Sequence, residues 1–558
     1  MTLIAAPIMV RDIHAALSDG EDAVQRGARL IEWRVDEIAD DHSAVARLVN
    51  DAPAPCIVTC RPAAHGGSFD GDESDRIALF EYLGVHARPR YIDLELEALE
   101  ATPAWRERLP HILAHPDQMR EGDTRLIVST HDFDGRPRDL YQRLERMAAF
   151  DDASILKVAW RARSVRDNLE AFELLGRRAK PMIALTMGEF GLMSRVLAPK
   201  FGGFLTFASV RDESATAPGQ PTIDALRDRY RFDAITPATR VFGVIGWPVA
   251  QSLSPLVHNA AFDERELDAV YLPLPVAPSY ESFKATVDAL ARDASLDFGG
   301  VSVTLPHKTH LLEFVDAMGG VVDEVAREVG AANTLVVRSG ASGDGRDGDC
   351  EGGALEARNT DVAALVESIA EALEVDLADL AERRVAVIGA GGAARAAIAG
   401  LSRLGATVVV YNRTFERAEA LAAEFAAKPT DERDGGPARR VVAARVEKFD
   451  RACADIIINA TPAGMAGGDA ADALPIPNLR DATPACWGAD TLVFDTIYTP
   501  RETPFLRIAR DAGCRTRDGL DMFARQAAAQ FELWTGQPAP ITRMRAALEQ
   551  ETHQDEEQ

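Results

Sequence analysis

Only seven lysines stand among the 61 basic residues of this 558-residue chain, so most of its cations are arginine. A lysine inside an apolar run or a loop motif is therefore informative. Lys157 lies in Ser154-Ile-Leu-Lys-Val-Ala159, and Lys308 closes Val301-Ser-Val-Thr-Leu-Pro-His-Lys308. Burial and nearby cations both disfavour an ammonium, so Lys157 among arginines is expected to shed its proton readily. The neutral amine can attack a ketone to give an iminium, an electron sink for removing a neighbouring proton. His131, in Ser129-Thr-His-Asp-Phe133, suits general acid–base work near neutral pH. Arg34, Arg61 and Arg195 can grip a carboxylate through forked hydrogen bonds. Glu32 shares a strand face with Arg34, two residues on, and Thr216-Ala-Pro-Gly-Gln220 adds further polar groups. Each has a plainer reading: an edge-strand lysine, a structural Glu32–Arg34 ion pair, a turn histidine. Their joint placement at the ends of successive strands favours a site.

The second half carries a different inventory. In Gly243-Val-Ile-Gly-Trp-Pro-Val-Ala-Gln-Ser-Leu-Ser-Pro255, Ser254 is expected to cap a helix that Pro255 opens. Ser252, two residues earlier, would point the same way and complete a carboxylate cradle at the helix N-terminus. Lys308 at one strand end and Asp361 in Asn359-Thr-Asp361 could converge on one hydroxyl as a proton-transfer pair. Arg383-Arg-Val-Ala-Val-Ile-Gly-Ala-Gly-Gly392 reads as a strand running into a glycine turn and a helix. Gly389, Gly391 and Gly392 would let the backbone approach a pyrophosphate. The next strand ends in Asn412-Arg-Thr414, where a carboxylate would suit NAD. Arg413, helped by Arg417, suits a 2′-phosphate instead, and NADP is the expected cofactor. Taken alone, Lys308 and Asp361 would be solvated surface and the glycines a tight strand–helix turn.

These residues need a scaffold. Strands are expected at Leu3–Val10, Arg29–Val35, Cys56–Cys60, Tyr91–Glu95, Arg125–Ser129, Ser154–Ala159, Met182–Met187 and Gly203–Ser209, with amphipathic helices between. Eight such repeats predict a (β/α)8 TIM barrel over 1–225, its chemistry at the C-terminal strand ends. A linker follows at 226–239. The pattern restarts at 240 as a two-lobed α/β unit. A substrate lobe spans 240–366, a Rossmann NADP-binding lobe 367–515, and C-terminal helices over 516–548 return to the substrate lobe. The segments 339–353 and 428–439 read as a mobile loop and a surface insertion, and 549–558 as a disordered tail.

Composition narrows the classes. A net charge of -26 argues against nucleic acid and anionic membranes. No apolar run is long enough to span a bilayer. The chain enters a strand-like run almost at once, without the composition of a secretory or transit leader, so the cytoplasm is the expected location. The six scattered cysteines are expected to be reduced, structural thiols, and no metal is implied.

Through Glu32-Trp-Arg34, Arg61, Ser129-Thr-His131, Lys157, Met187-Gly188, Ser194-Arg195 and Ala217-Pro-Gly-Gln220, the first half resembles the type I 3-dehydroquinate dehydratases. The resemblance implies a Schiff base on Lys157, with His131 moving protons during loss of water. Arg195 would hold the carboxylate, while Glu32, Arg34, Arg61 and Gln220 hold hydroxyls. Two positions depart from that family: His65 stands where glutamate is common, and Thr216 replaces a serine. From 240 to 548 the motifs resemble shikimate dehydrogenase, including Asn459-Ala-Thr-Pro-Ala-Gly464, Asp495-Thr-Ile-Tyr498 and Asp518-Gly-Leu-Asp-Met-Phe523. That likeness implies Ser252 and Ser254 on a carboxylate and Thr304, Asn333 and Gln526 on ring hydroxyls. Lys308 and Asp361 would be the catalytic pair. Gly389, Gly391, Gly392, Asn412, Arg413, Thr414, Arg417, Thr461 and Tyr498 would line the cofactor site. Ser302 stands where many members have asparagine.

The order of the halves resembles the plant-type bifunctional fusion, in which one half's product is the other's substrate. The expected partners are therefore 3-dehydroquinate, 3-dehydroshikimate and shikimate. One alternative is a second half preferring quinate or NAD. Another is a metabolite sensor, which predicts loss of Lys157, His131, Lys308 or Asp361, yet all four are present.

Overall fold

The computed structural model describes every residue except 115–123, 339–354, 429–438, 452, 467–470, 478, 480–484 and 558, together with the side chains of 450–451 and 552–557. The described chain divides into two compact units, 1–240 with 268–276, and 241–267 with 277–558. The loop expected at 339–353 and nearly all of the insertion expected at 428–439 lie outside the described residues.

In the first unit the strands are β1 (Leu3–Met9), β2 (Leu30–Arg34), β3 (Cys56–Thr59), β4 (Tyr91–Glu95), β5 (Arg125–Asp132), β6 (Ala153–Arg161), β7 (Met182–Met187) and β8 (Leu205–Phe207). They form one sheet in the order β7-β6-β5-β4-β3-β2-β1-β8. A hydrogen bond of 2.8 Å from Phe204 N to Met182 O ties its ends together, as a barrel requires. Side chains alternate along each strand. Ala5, Leu30, Ile57, Tyr91, Ile127, Ile155, Ile183 and Leu205 therefore pack together inside the ring. The opposite faces pack under the helices. The first of these, Ile13–Arg26, shows why such segments become helices with fixed ends. The Asp12 side chain accepts from Ala15 N at its start, and Gly27 takes the left-handed conformation at its end.

Two expectations for this unit change. β5 continues to Asp132, so His131 lies within the strand rather than after it. The stretch expected as a linker is folded: Arg227 bonds Asp233 and Arg26 O, and Lys200 Nζ donates to Pro237 O and Thr239 O. Its charges are used in local contacts that a sequence pattern does not display.

The second unit opens with β9 (Arg240–Gly246), most of which it holds; β10 (Ala269–Pro275) falls within the first unit. It continues with β11 (Phe298–Val303), β12 (Val321–Val322), β13 (Thr334–Val337) and β14 (Leu355–Arg358). β9, β11, β13, β14 and β12 are neighbours in that order. β11 is parallel to β9 and antiparallel to β13. A second sheet comprises β15 (Arg384–Ile388), β16 (Thr407–Asn412), β17 (Val441–Arg445), β18 (Ile456–Asn459), β19 (Leu492–Asp495) and β20 (Arg515–Arg517). Its order is β17-β16-β15-β18-β19-β20, all parallel. This is the doubly wound arrangement, with its switch point where β15 meets β18.

Two further expectations are corrected here. Cys453 and Cys486 form a disulfide, with Cα atoms 5.7 Å apart. They precede β18 and β19, and the parallel pairing of those strands brings the two entry turns together. Cys56, Cys60 and Cys514 are free and buried. The tail expected to be disordered continues a helix, Ile541–Glu557, because no Gly or Pro interrupts that run.

Candidate active sites

At the C-terminal end of the barrel, every residue expected in the first site lines one cavity: Glu32, Arg34, Arg61, His131, Lys157, Arg195, Thr216 and Gln220. His65, Phe133 and Phe207 line it too. Lys157 is 5% exposed. Its Nζ lies 2.8 Å from Asp93 Oδ2, 3.6 Å from Glu32 Oε1 and 4.6 Å from the centre of the Phe207 ring. The nearest charges to the amine are thus carboxylates, and the cation-lined surround expected from sequence is corrected to an ion-paired one.

Asp93 and Glu95 are functional candidates that the sequence reading passed over. Both project from β4 on the same face as Tyr91, alternating with Ile92 and Leu94, and both are wholly buried. Asp93 accepts from Lys157, from Arg61 and from Ser129. Burial alone would raise its carboxyl, but Arg61 and then Lys157 reverse this and hold it well below the usual carboxylate range. Glu95 accepts from Arg61 at 2.5 Å and from the buried Arg76 at 2.6 Å. Two acids two residues apart in an apolar strand were the available signal, the same one that singled out Glu32 and Arg34.

The arginines differ in state. Arg61 donates to Asp93, Glu95 and Ser129, which anchors it rather than leaving its fork open. Arg34 is held by Asp36, which also accepts from the backbone of Arg61 and Ser68. Arg195 is 1% exposed, yet its Nε and one terminal nitrogen have no hydrogen-bond partner among the described residues. Burial lowers it to about 10. A buried, unpaired guanidinium is costly unless an anion comes to it. Gln220 faces the cavity in the same unfinished way: its oxygen accepts from Thr216, while its Nε2 has no partner among the described residues. His131 Nδ1 is likewise unpartnered. Burial, then Arg61 and Lys157, hold this imidazole well below its ordinary value, so it is neutral.

The second constellation lies wholly within the second unit. Lys308 Nζ donates to Asp361 Oδ2 at 2.6 Å. Asn333 Nδ2 donates to Asp361 Oδ1 and to Thr360 Oγ1, both at 2.9 Å, and reaches Gln526 Oε1 at 3.5 Å. Asp361 begins the helix Asp361–Leu373, where the dipole favours a carboxylate. Four expected residues thus form one cluster. The expected helix start is off by one: the helix is Ser254–Glu264, and Ser252 Oγ accepts from Ser254 N while donating to Ser254 Oγ at 3.1 Å. Leu253 is thus the N-cap residue, without a side-chain cap bond, and Ser252 before it takes up the first helical N–H. The loop carrying them runs beside that of Thr304, whose N donates to Ile245 O. Ser302 Oγ donates to Gln530, a buried partner on the closing helix.

In the Rossmann sheet, Gly389 has φ +120°, and a Cβ there would lie 2.7 Å from Ala460 O. Beyond Gly391 there is open space where a phosphate could approach, and a Cβ at Gly392 would press on Lys308. Thr461 is fixed by Asn459, whose Oδ1 accepts from Thr461 N and Oγ1, while Asn459 Nδ2 donates to Asp495. The Tyr498 ring lies tilted against that of Phe523, centres 4.6 Å apart, and burial pushes its hydroxyl up to about 12. Asn412 bonds Thr414 O, and Arg413 and Arg417 are exposed. Glycine turn, open space and free cations fit a dinucleotide bearing an extra phosphate.

Comparison with known proteins follows the same division. The model of the type I 3-dehydroquinase family matches residues 4–237. The shikimate dehydrogenase substrate binding domain matches 244–335, shikimate / quinate 5-dehydrogenase 371–435, and the shikimate 5′-dehydrogenase C-terminal domain 519–549. The chain is 34% identical to the chloroplastic bifunctional 3-dehydroquinate dehydratase/shikimate dehydrogenase of Arabidopsis thaliana, over 97% of this chain and 83% of that one. It is 38% identical to the shikimate dehydrogenase (NADP(+)) of Methanocella arvoryzae, over 54% of this chain and 95% of that one. A crystal structure of shikimate 5-dehydrogenase from Thermus thermophilus, in complex with NADP(H) and shikimate, is 30% identical with a TM-score of 0.44. It covers 56% of this chain and 99% of that one.

Proposed function

The chain belongs to the bifunctional 3-dehydroquinate dehydratase/shikimate dehydrogenase family, and from that premise we propose how its own residues divide the two reactions. The barrel eliminates water from 3-dehydroquinate, and the second unit reduces the resulting 3-dehydroshikimate to shikimate with NADPH. The observation that carries the first assignment is the buried Arg195, two of its nitrogens without a partner among the described residues, lining one cavity with Lys157. A carboxylate docked on Arg195 would complete its hydrogen bonds, and Gln220 Nε2 would find a hydroxyl.

The chemistry then follows. Lys157, freed of its proton, adds to the ketone carbon, and loss of water leaves an iminium. His131, neutral at rest, removes the proton from the adjacent carbon, and the electrons move onto nitrogen. As the enamine re-forms the iminium, the hydroxyl departs with a proton from His131. Hydrolysis returns the amine to its ion pair. Asp93 and Glu32, 2.8 and 3.6 Å from Nζ, stand beside the nitrogen to balance the charge of the iminium.

In the second unit, bound NADPH supplies the hydride equivalent. Lys308 donates the proton to the developing alkoxide and Asp361 holds and recharges it, with Asn333 and Gln526 orienting ring hydroxyls and Ser252 and Ser254 the carboxylate. Gly389, Gly391 and Gly392 would seat the pyrophosphate, Arg413 and Arg417 the 2′-phosphate, and Thr461 and Tyr498 the nicotinamide side.

Borohydride reduction in the presence of 3-dehydroquinate tests the covalent step. The intact chain should gain the mass of one reduced adduct, and Lys157→Ala should gain none. An undiminished adduct in Lys157→Ala would remove this lysine as the nucleophile.

A further inference from the structure

β17, the strand beside the one that ends in Asn412-Arg-Thr414, carries an arginine that stands outside the motifs assigned so far. β16 and β17 run parallel with Asn412 opposite Arg445, so Arg445 leaves the sheet at the same end. Its guanidinium carbon lies 4.5 Å from the centre of the Phe415 ring. Phe415 opens the helix Phe415–Ala426. Arg413 precedes that opening by two residues, Arg417 follows it by two, and all three arginines are exposed. Three exposed arginines thus issue from backbone positions at or beside one helix N-terminus, whose dipole disfavours positive charge. No carboxylate forms an ion pair with any of them among the described residues, although Glu416 lies in the first turn. Such an arrangement is stabilised by an anion, and the aromatic contact pre-orients the third guanidinium to meet one.

We propose that Arg445 is a third arm of the 2′-phosphate site and a determinant of NADPH over NADH. The proposal rests on the NADP reading above and extends it to a strand that the Asn412-Arg-Thr414 motif does not include. Its ligand chemistry is a ribose 2′-phosphomonoester, gripped through forked, charge-assisted hydrogen bonds.

The test compares Arg445→Gln with Arg413→Gln in the full chain, reading KM for NADPH and for NADH and inhibition by adenosine 2′,5′-bisphosphate and by 5′-AMP. Arg445→Gln should raise KM for NADPH about five- to tenfold, the scale of one exposed charge-assisted contact. KM for NADH and inhibition by 5′-AMP should stay put, while inhibition by the bisphosphate weakens by the same factor. Arg445→Lys should recover part of the loss. Equal losses for NADPH and NADH would mark a merely structural contact with Phe415 and overturn the proposal. A changed preference in Arg413→Gln but not in Arg445→Gln would overturn it too, leaving the NADP reading intact. If neither variant altered the preference, the 2′-phosphate reading itself would fall.

Discussion

The two lysines that stand out in the sequence end in different surroundings. Lys157 sits in a network: Glu32 and Asp93 touch it, Asp93 is held by Arg61, Arg61 by Glu95, and Glu95 by Arg76, with nearly every member buried. Lys308 has one carboxylate partner among the described residues, Asp361, and is 18% exposed in its side chain against 6% for Lys157. The contrast follows the chemistry. A lysine that becomes bonded to its substrate must be fixed in position and have its charge matched through every intermediate, which a dry, over-determined array provides. A lysine that only hands over a proton needs one partner and access to exchange it.

If that contrast is right, removing each carboxylate should fail in a different way. Asp361→Asn should cost about 10²- to 10⁴-fold in kcat of the reduction, the range for a lost acid–base group, with little loss of folding stability and normal dehydratase turnover. Asp93→Asn should instead destabilise the barrel by about 3–5 kcal/mol, because Lys157 and Arg61 would be left buried with too little negative charge. Dehydratase activity remaining at increasing urea would report it. Equal stability losses in the two variants would break the comparison.

A smaller effect sharpens it further. His131 is held well below its ordinary 6.5, first by burial and then by Arg61 and Lys157. A histidine with a depressed folded value keeps its base form as pH falls through 6.5, while the unfolded chain takes up the proton. The acid limb of dehydratase kcat/KM should therefore lie below 6.5, and His131's contribution to barrel stability should fade as pH drops under that value. A limb at or above 6.5 would mean that the neighbouring cations do not act on His131 as the geometry indicates.

The sequence shows which residues do chemistry better than it shows what holds them. Lys157, His131, Lys308 and Asp361 were legible because a scarce or costly residue type interrupts an apolar run at a strand end. Asp93 and Glu95 were not, although they obey the same alternation, because Tyr91–Glu95 served only to count a strand. Arg76 was illegible for a different reason. It reaches Glu95 from the helix Glu73–His86, and no local pattern distinguishes a helical arginine turned inward from one in water. The Cys453–Cys486 pairing is a product of sheet topology across 33 residues, with no motif to announce it. The helix that begins at Ser254 rather than Pro255 differs from the expected start by one residue, the kind of detail that propensity does not resolve.

The central claim is that one chain holds two separable sites, with Lys157 serving only the first. NADPH oxidation by the purified Lys157→Ala chain, supplied in turn with 3-dehydroquinate and with 3-dehydroshikimate, tests it most directly. The account predicts no oxidation with 3-dehydroquinate and the wild-type rate with 3-dehydroshikimate. Oxidation from 3-dehydroquinate at the wild-type rate would contradict it.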